Sequence, residues 1–430
     1  MKAFKNIIVI ILTWEARAVL RRYKPKIIAV TGSVGKTTTK DAIFAALSPH
    51  LHVRKSDKSF NSDVGVPLAI LGLENGWHDP IIWISNIVRG FLLAAIPGDY
   101  PMWLVLEVGA DRPGDIRRIA RWLRPDIAVI TAVPEIPVHV EYFDSPKAVL
   151  REKRSLAEYL KPGGRLIING DDPHLSDLRS DFRGLTITYG IEERNDFYAS
   201  HDDVTYDGES PVGMRFRVNH EGSSVPVAIF GSLGRPRIYS ALAALAVSTS
   251  IGIDLVGASS ALASWPPPPG RMRILPGVRG SFLIDDTYNS SPAAALAALD
   301  TLQSIATRGR KIAVMGDMLE LGKYANDAHK EIGQRVAVCA DMLVTVGFRA
   351  RLMAEAALDA GMDPESVRSY EQGESERAGL ELERELQQGD IALIKGSQSI
   401  RMERAVEVLM AEPDTAAELL VRQEGEWKKR

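Results

Sequence analysis

The stretch that most constrains this chain is residues 26–40, K-I-I-A-V-T-G-S-V-G-K-T-T-T-K. Ile27, Ile28, Ala29 and Val30 read as a short buried strand, Gly32-Ser33-Val34-Gly35 as a tight turn, and Lys36-Thr37 as the opening of a helix that runs through Leu47. A turn between a strand and a helix aims successive backbone N–H groups into one concavity. The helix N-terminus adds partial positive charge, so a triphosphate is the natural ligand. The expected nucleotide contacts are Gly32, Ser33, Val34, Gly35, Lys36, Thr37 and Thr38, with Lys36 on the outer phosphates and the Thr37 hydroxyl on Mg2+. The strict G-x-x-x-x-G-K-[ST] pattern is not met, because Val30 stands where its first glycine would be. A bare G-K-T after a strand also occurs as an ordinary turn, so the loop on its own bears on ATP use rather than on a reaction.

At 430 residues the chain is long for one core, and two or three domains are expected. Charged residues make up 25% and the net charge is only −3, which argues against a broad nucleic-acid-binding surface. The single cysteine, Cys339, excludes an internal disulfide and suits a reducing cytoplasm; among Val336, Ala337, Val338 and Ala340 it reads as a core thiol. Near the N-terminus, Lys2 and Lys5 precede the apolar run 7–12, but Glu15, Arg17, Arg21 and Arg22 follow without a small-residue cleavage site. The run is far shorter than the roughly 20 residues that cross a bilayer. Residues 4–22 therefore read as one helix, apolar then basic, which either packs on the first domain or lies at a membrane interface. A second apolar stretch, 81–96, contains Trp83, Asn86 and Arg89, and keeps peripheral membrane contact open.

The chain continues as α/β. Residues 102–108 form an apolar run ending in Glu107-Val108-Gly109. A carboxylate at the C-terminal end of a buried parallel strand faces the ligand crevice, which makes Glu107 a candidate Mg2+ ligand. Residues 126–131 and 166–169 are further strands, and alternation within 190–230 predicts a small antiparallel insertion without chemistry of its own. The four prolines 266–269 form a stiff extended linker. Beyond them strands near 281–285, 311–315, 342–346 and 391–394 alternate with helices from Pro292, Asn326 and Arg349, a second doubly wound pattern. The expected organisation is a helical segment over 1–25, a P-loop ATPase domain with a mostly parallel sheet over 26–265, and a Rossmann-like α/β domain over 270–430.

The form T-G-S-V-G-K-T-T-T-K resembles the ATP loop of the Mur ligase family and its folylpolyglutamate- and cyanophycin-forming relatives. Further motifs extend the resemblance over roughly residues 26–410: G-R-M-R at 270–273, I-D-D-T-Y-N-S-S-P at 284–292, M-G-D-M-L-E-L-G at 315–322 with His329, and K-G-S-Q-S-I-R-M-E at 395–403. Together they look like the subgroup that adds D-alanyl-D-alanine to a muropeptide in peptidoglycan synthesis. The resemblance implies an ADP-forming ligase that joins a muropeptide-like carboxylate to an amino acid or dipeptide amine, with ATP and two Mg2+ ions as cofactors.

It also implies residue roles. His139 and a carbamylated Lys153 would help hold the second Mg2+, with Glu141 and Glu152 as weaker neighbours. Asn61, near Asp63, would meet substrate; Arg271 would reach ATP phosphates from the second domain, and Asp286 would help hold the nucleotide. Tyr288 and Asn289 would line the cleft, and Lys395, Gly396 and Ser397 would lie near the amine. Tyr288 also reads as core packing, His329 as a helix-surface residue, and Glu320 with the acidic stretch 371–385 as solvated faces. The sequence departs from the family pattern in two places. The asparagine expected near Tyr239-Ser240 is missing, and only about 25 residues precede the first strand, where the subgroup has a UDP-sugar-binding domain. A lipid-linked or non-UDP acceptor, a folylpolyglutamate-type ligase, a P-loop kinase or ATPase, and an idle scaffold subunit remain as alternatives.

Overall fold

The computed structural model of the chain describes residues 2–57 and 60–428. Its strands are β1 (Lys26–Thr31), β2 (Val53–Lys55), β3 (Trp103–Glu107), β4 (Ile127–Ile130), β5 (Arg165–Asn169), β6 (Leu185–Gly190), β7 (Phe197–Asp207), β8 (Ser210–His220), β9 (Ser223–Phe230), β10 (Arg273–Pro276), β11 (Phe282–Asp286), β12 (Lys311–Gly316), β13 (Met342–Val346), β14 (Val367–Tyr370) and β15 (Ile391–Lys395). They form two sheets, ordered β2-β3-β1-β4-β5-β6-β7-β8-β9 and β10-β11-β15-β12-β13-β14. From β2 to β7 neighbours in the first sheet are parallel, and β7, β8 and β9 are antiparallel. The predicted insertion is thus an extension of the large sheet rather than a separate module. The second sheet is parallel except for the edge strand β10.

Strand β1 lies between β3 and β4 and is apolar on both faces, as a central parallel strand must be. Ile28 and Val30 point to a core shared with the helices Lys36–Leu47 and Arg235–Ser250, and Ile27 and Ala29 to a core shared with the helices Lys2–Tyr23 and Gly65–Leu71. The first of these cores continues into the second half through Ala295, Ala298, Leu299 and Met315. The two sheets are therefore packed together as well as tethered through prolines 266–269, which lie in neither helix nor strand.

The N-terminal helix packs on the first sheet through Ile8, Leu12, Ala16 and Val19. Cys339 is buried, and burial pushes its thiol up to about 11, which leaves it unreactive at neutral pH. Two expectations are corrected. His329 is fully buried: its Nε2 accepts the Met318 N–H (3.0 Å) and its Nδ1 lies 2.6 Å from the Ala325 carbonyl, so it is a structural brace. Glu152 is buried and accepts the N–H groups of Gly114, Ile116 and Arg117 at the start of the helix Asp115–Leu123, where the helix dipole favours a carboxylate. Those bonds occupy it as a cap rather than as a metal ligand.

Glu15 is 2% exposed beside Gly90 of the helix Pro80–Ala95, and burial raises its carboxyl to about 7. A raised acid favours the fold when protonated, so this contribution is complete below the ordinary value of 4.5 and is lost as pH rises through about 7. Thermal unfolding of Glu15→Gln should gain on the native chain as pH rises from 4.5 to 8, by on the order of 1–2 kcal/mol. A constant difference across that range would contradict this.

Candidate functional site

The phosphate loop is shaped by Thr131 at the end of β4. Gly32 (φ 145°) passes so close that a Cβ there would stand 1.9 Å from Thr131 Oγ1, and Gly35 (φ 86°) turns the chain into the helix Lys36–Leu47. The Thr131 hydroxyl lies 2.6 Å from the Val34 carbonyl and 3.1 Å from that of Thr31, and Ser33 N–H donates to the Ala132 carbonyl (2.9 Å). Both glycines are needed here, one for space and one for a left-handed backbone. Lys36 Nζ folds back on the Ser33 carbonyl (3.3 Å), and desolvation lowers its pKa against the opposing pull of Glu107.

Glu107 ends β3 beside this loop, 1% exposed. Its two oxygens accept from the Thr37 hydroxyl (2.7 Å) and from Asn61 Nδ2 (2.9 Å), so the three side chains converge. A hydroxyl and a carboxylate this close at the mouth of a phosphate loop are hard-oxygen donors of the kind Mg2+ takes. Among the described residues there is no cluster of three or more His, Cys, Asp or Glu side chains positioned to hold a metal.

Lys153 is 2% exposed on the helix Pro146–Glu158, beneath the cavity wall rather than in it. Burial, with Lys36 adding repulsion, lowers its amine to about 7. His139 stands at a left-handed position (φ 67°), strained for a non-glycine residue. Its Nδ1 lies 2.5 Å from Glu320 Oε2 and its Nε2 3.8 Å from Asp111 Oδ1. Glu320, expected on a solvated face, is thus corrected to a partner of His139 from the other half of the molecule, and His139 holds its carboxyl below the ordinary range. The Glu141 N–H donates to the Glu320 carbonyl in the same contact (3.4 Å).

The second half supplies the opposite wall. Arg271 Nη2 donates to the Thr37 oxygen (3.0 Å), and its guanidinium lies 4.1 Å from the centre of the Tyr288 ring. Lys395 is 1% exposed, and its Nζ lies 2.5 Å from Asp286 Oδ2 and 3.1 Å from the Asn289 carbonyl. Asp285 ties down the same turn through Gly270 N–H and both donors of Thr287, and burial raises its carboxyl to about 6.

These walls enclose a cavity of about 800 Å³. Ser33, Val34, Gly35, Lys36, Thr37, Thr38, Asn61, Glu107, His139, Arg271, Asp286, Tyr288, Asn289 and Lys395 all line it. Gly32 lies behind the loop, and Gly396 and Ser397 behind the far wall, where the Ser397 hydroxyl accepts the Leu319 N–H (2.8 Å) and a Cβ on Gly396 would stand 2.6 Å from Met402. Sequence reasoning did not single out Asp111, Asn169, Asp171 or Thr131, which also line the cavity. Only Asp171, in the N-G-D-D turn after β5, carried a signal: a polar turn at a strand end.

A Mur ligase middle domain model matches residues 91–248, and a Mur ligase glutamate ligase domain model matches residues 270–398. The UDP-N-acetylmuramoyl-tripeptide–D-alanyl-D-alanine ligase of Bacillus subtilis is 30% identical over 93% of this chain and 79% of its own length. The protein of the same name from Synechocystis is 31% identical over 92% and 77%. Among solved structures, the MurF ligase of Thermotoga maritima in complex with ADP superposes with a TM-score of 0.77 at 26% identity, covering 95% of this chain and 85% of that one.

Replacing Thr131 by Ala removes the brace beneath the loop while leaving every other lining residue in place. ADP affinity measured by calorimetry should fall about tenfold, the worth of roughly one well-placed hydrogen bond. Unchanged affinity would mean that the loop holds its shape without Thr131.

Proposed function

The chain belongs to the Mur ligase family, and from that footing we propose how it forms an amide bond and between which partners. It is an ATP-dependent, ADP-forming ligase that adds D-alanyl-D-alanine, or a closely similar amine, to the carboxylate of a muropeptide precursor in peptidoglycan synthesis. A carboxylate is a poor acyl donor. Its oxygen therefore first attacks the terminal phosphorus of ATP, the bond to ADP breaks, and an acyl phosphate forms. The amine nitrogen then attacks the acyl carbon, loses a proton and expels inorganic phosphate, leaving the amide.

The chain's own groups fit the first step. The loop N–H groups, Lys36 and Arg271 would surround the transferring phosphoryl group and neutralise its developing charge. Thr37 and Glu107 would hold one Mg2+, which would draw charge from the phosphates. His139 and Lys153, the latter as its carbamate, would serve a second ion. The lowered pKa of Lys153 supports this, because only a neutral amine adds to carbon dioxide. Asp286 and Arg271 hold the nucleotide from the second domain. Asn61, Tyr288, Asn289 and Lys395 receive the substrates, and Gly396 and Ser397 shape the wall behind Lys395. The domains run over 26–265 and 270–430, after a helical segment over 1–25. The ligase works in the cytoplasm, in peripheral contact with a membrane.

The observation that carries the reading is the Arg271 bond to Thr37, which brings a cation from beyond the proline linker onto the phosphate loop. A P-loop kinase or ATPase confined to the first sheet leaves that bond and the second family match unexplained.

Phosphate release from ATP, measured across a panel of muropeptide carboxylates with and without D-alanyl-D-alanine, should rise only when both partners are present. Release that no pair stimulates would sink the assignment. For Lys153, activity should fall when bicarbonate is stripped from the buffer and as pH drops below about 7, where the amine protonates. Lys153→Glu should retain more activity than Lys153→Gln, and equal activities would argue against the carbamate.

A further inference from the structure

Two helices of the first domain turn apolar side chains away from the protein. On Lys2–Tyr23 the buried residues hold the helix down, while Ile7, Ile10 and Trp14 are 55%, 67% and 60% exposed. Their spacing places them on one stripe, which exposed Arg17 and Arg21 continue. On Pro80–Ala95 only Trp83, Asn86 and Gly90 are buried, and Ile81, Ile84, Val88 and Phe91 stand 75%, 64%, 52% and 54% exposed. A helix of a water-soluble surface would carry polar residues there.

The helices lie side by side and run in the same direction. The Glu15 carboxyl meets Gly90, and Arg22 Nη1 donates to the carbonyls of Ala94 (2.9 Å) and Ala95 (3.2 Å). Their outward faces are thus neighbours. They are also basic within a slightly acidic chain: Arg17, Arg21, Arg22 and Arg89 are exposed, whereas Glu15 is buried. Among the described residues no helix is long and apolar enough to cross a membrane, so these faces can lie on a bilayer but not span it.

We propose that this helix pair is an interfacial platform: its aliphatic and tryptophan side chains enter the acyl boundary of a bilayer, and its arginines contact anionic phospholipid headgroups. The proposal rests on the peripheral membrane contact stated above and names its surface and lipid chemistry. Charge decides between a bilayer and a second copy of the chain, since two-fold pairing would set the same arginine stripe on both sides of the contact. The platform has a mechanical link to the site. The helix Lys2–Tyr23 packs on Gly65–Leu71, which follows the loop that carries Asn61 to Glu107.

Flotation of the full chain with vesicles tests this. The chain should float with phosphatidylcholine mixed with an equal part of phosphatidylglycerol, and much less with phosphatidylcholine alone. Phe91→Asp combined with Ile84→Asp should weaken binding at least about tenfold. Arg17→Glu and Arg21→Glu should each weaken it about fivefold or more, and added salt should mimic them. All these positions are exposed, and phosphate release in vesicle-free buffer should stay unchanged in each variant, which shows that the fold survives. No flotation with either vesicle would overturn the membrane contact as a whole. Flotation that is indifferent to Ile84→Asp and Phe91→Asp would overturn the platform alone. A dimer in solution that Phe91→Asp dissociates, without lipid binding, would overturn it in favour of a second copy.

Discussion

The burial of cations around one cavity is the constraint on which the rest of this structure depends. Lys36 and Arg271 face one cavity with Lys395, and Lys153 lies under its wall, close enough to feel the Lys36 charge. Burial is the larger cause that lowers Lys36 and Lys153, with Arg271 and Lys36 respectively adding to it; Glu107 and Asp111 offset part of this, and Asp286 pairs with Lys395. Such a site is stable because a rigid frame holds it, and it is completed by a polyanion. The frame is β1 with its loop, whose glycines allow Thr131 to brace the backbone from behind. Nucleotide binding and charge balance are then the same event.

The second domain enters that balance rather than merely covering it. Arg271 reaches Thr37, and Glu320 reaches His139, so two separate contacts cross the cleft at the places where phosphate and metal chemistry would occur. Behind them Asp285 fixes the turn that presents Asp286, Tyr288 and Asn289, and Arg422 donates to the carbonyls of Thr287 and Tyr288 from the C-terminal segment. A labile acyl phosphate needs this kind of enclosure, since water competes with the amine for it.

Much of the fold was legible because its signals are local. The strand, turn and helix of residues 26–47, the alternation beyond the prolines, and Glu107 at a strand end all follow from short-range patterns. The edge strands β10 and β14 escaped because four residues, only partly buried, carry no clear period. At the site, residues 33–38 of the loop and Asp286, Tyr288 and Asn289 of the D-D-T-Y-N turn line the cavity, while Gly32, Asp285 and Thr287 lie behind it. What could not be read were pairings between distant segments. Thr131 supports a loop about a hundred positions earlier, and Glu320 meets a histidine on another domain. Glu152 caps a neighbouring helix, although its place beside Lys153 gave it the look of a ligand. His329 became a buried brace because its acceptor met a free N–H on the Met318 turn, a contact that no helical period announces.

The central claim is that both domains act on one carboxylate, which is activated as an acyl phosphate before the amine arrives. The most direct measurement follows heavy oxygen from a labelled substrate carboxylate. The account predicts that one labelled oxygen per amide appears in inorganic phosphate, and that Arg271→Ala abolishes this transfer while ADP still binds. Amide formation with unlabelled phosphate would contradict it.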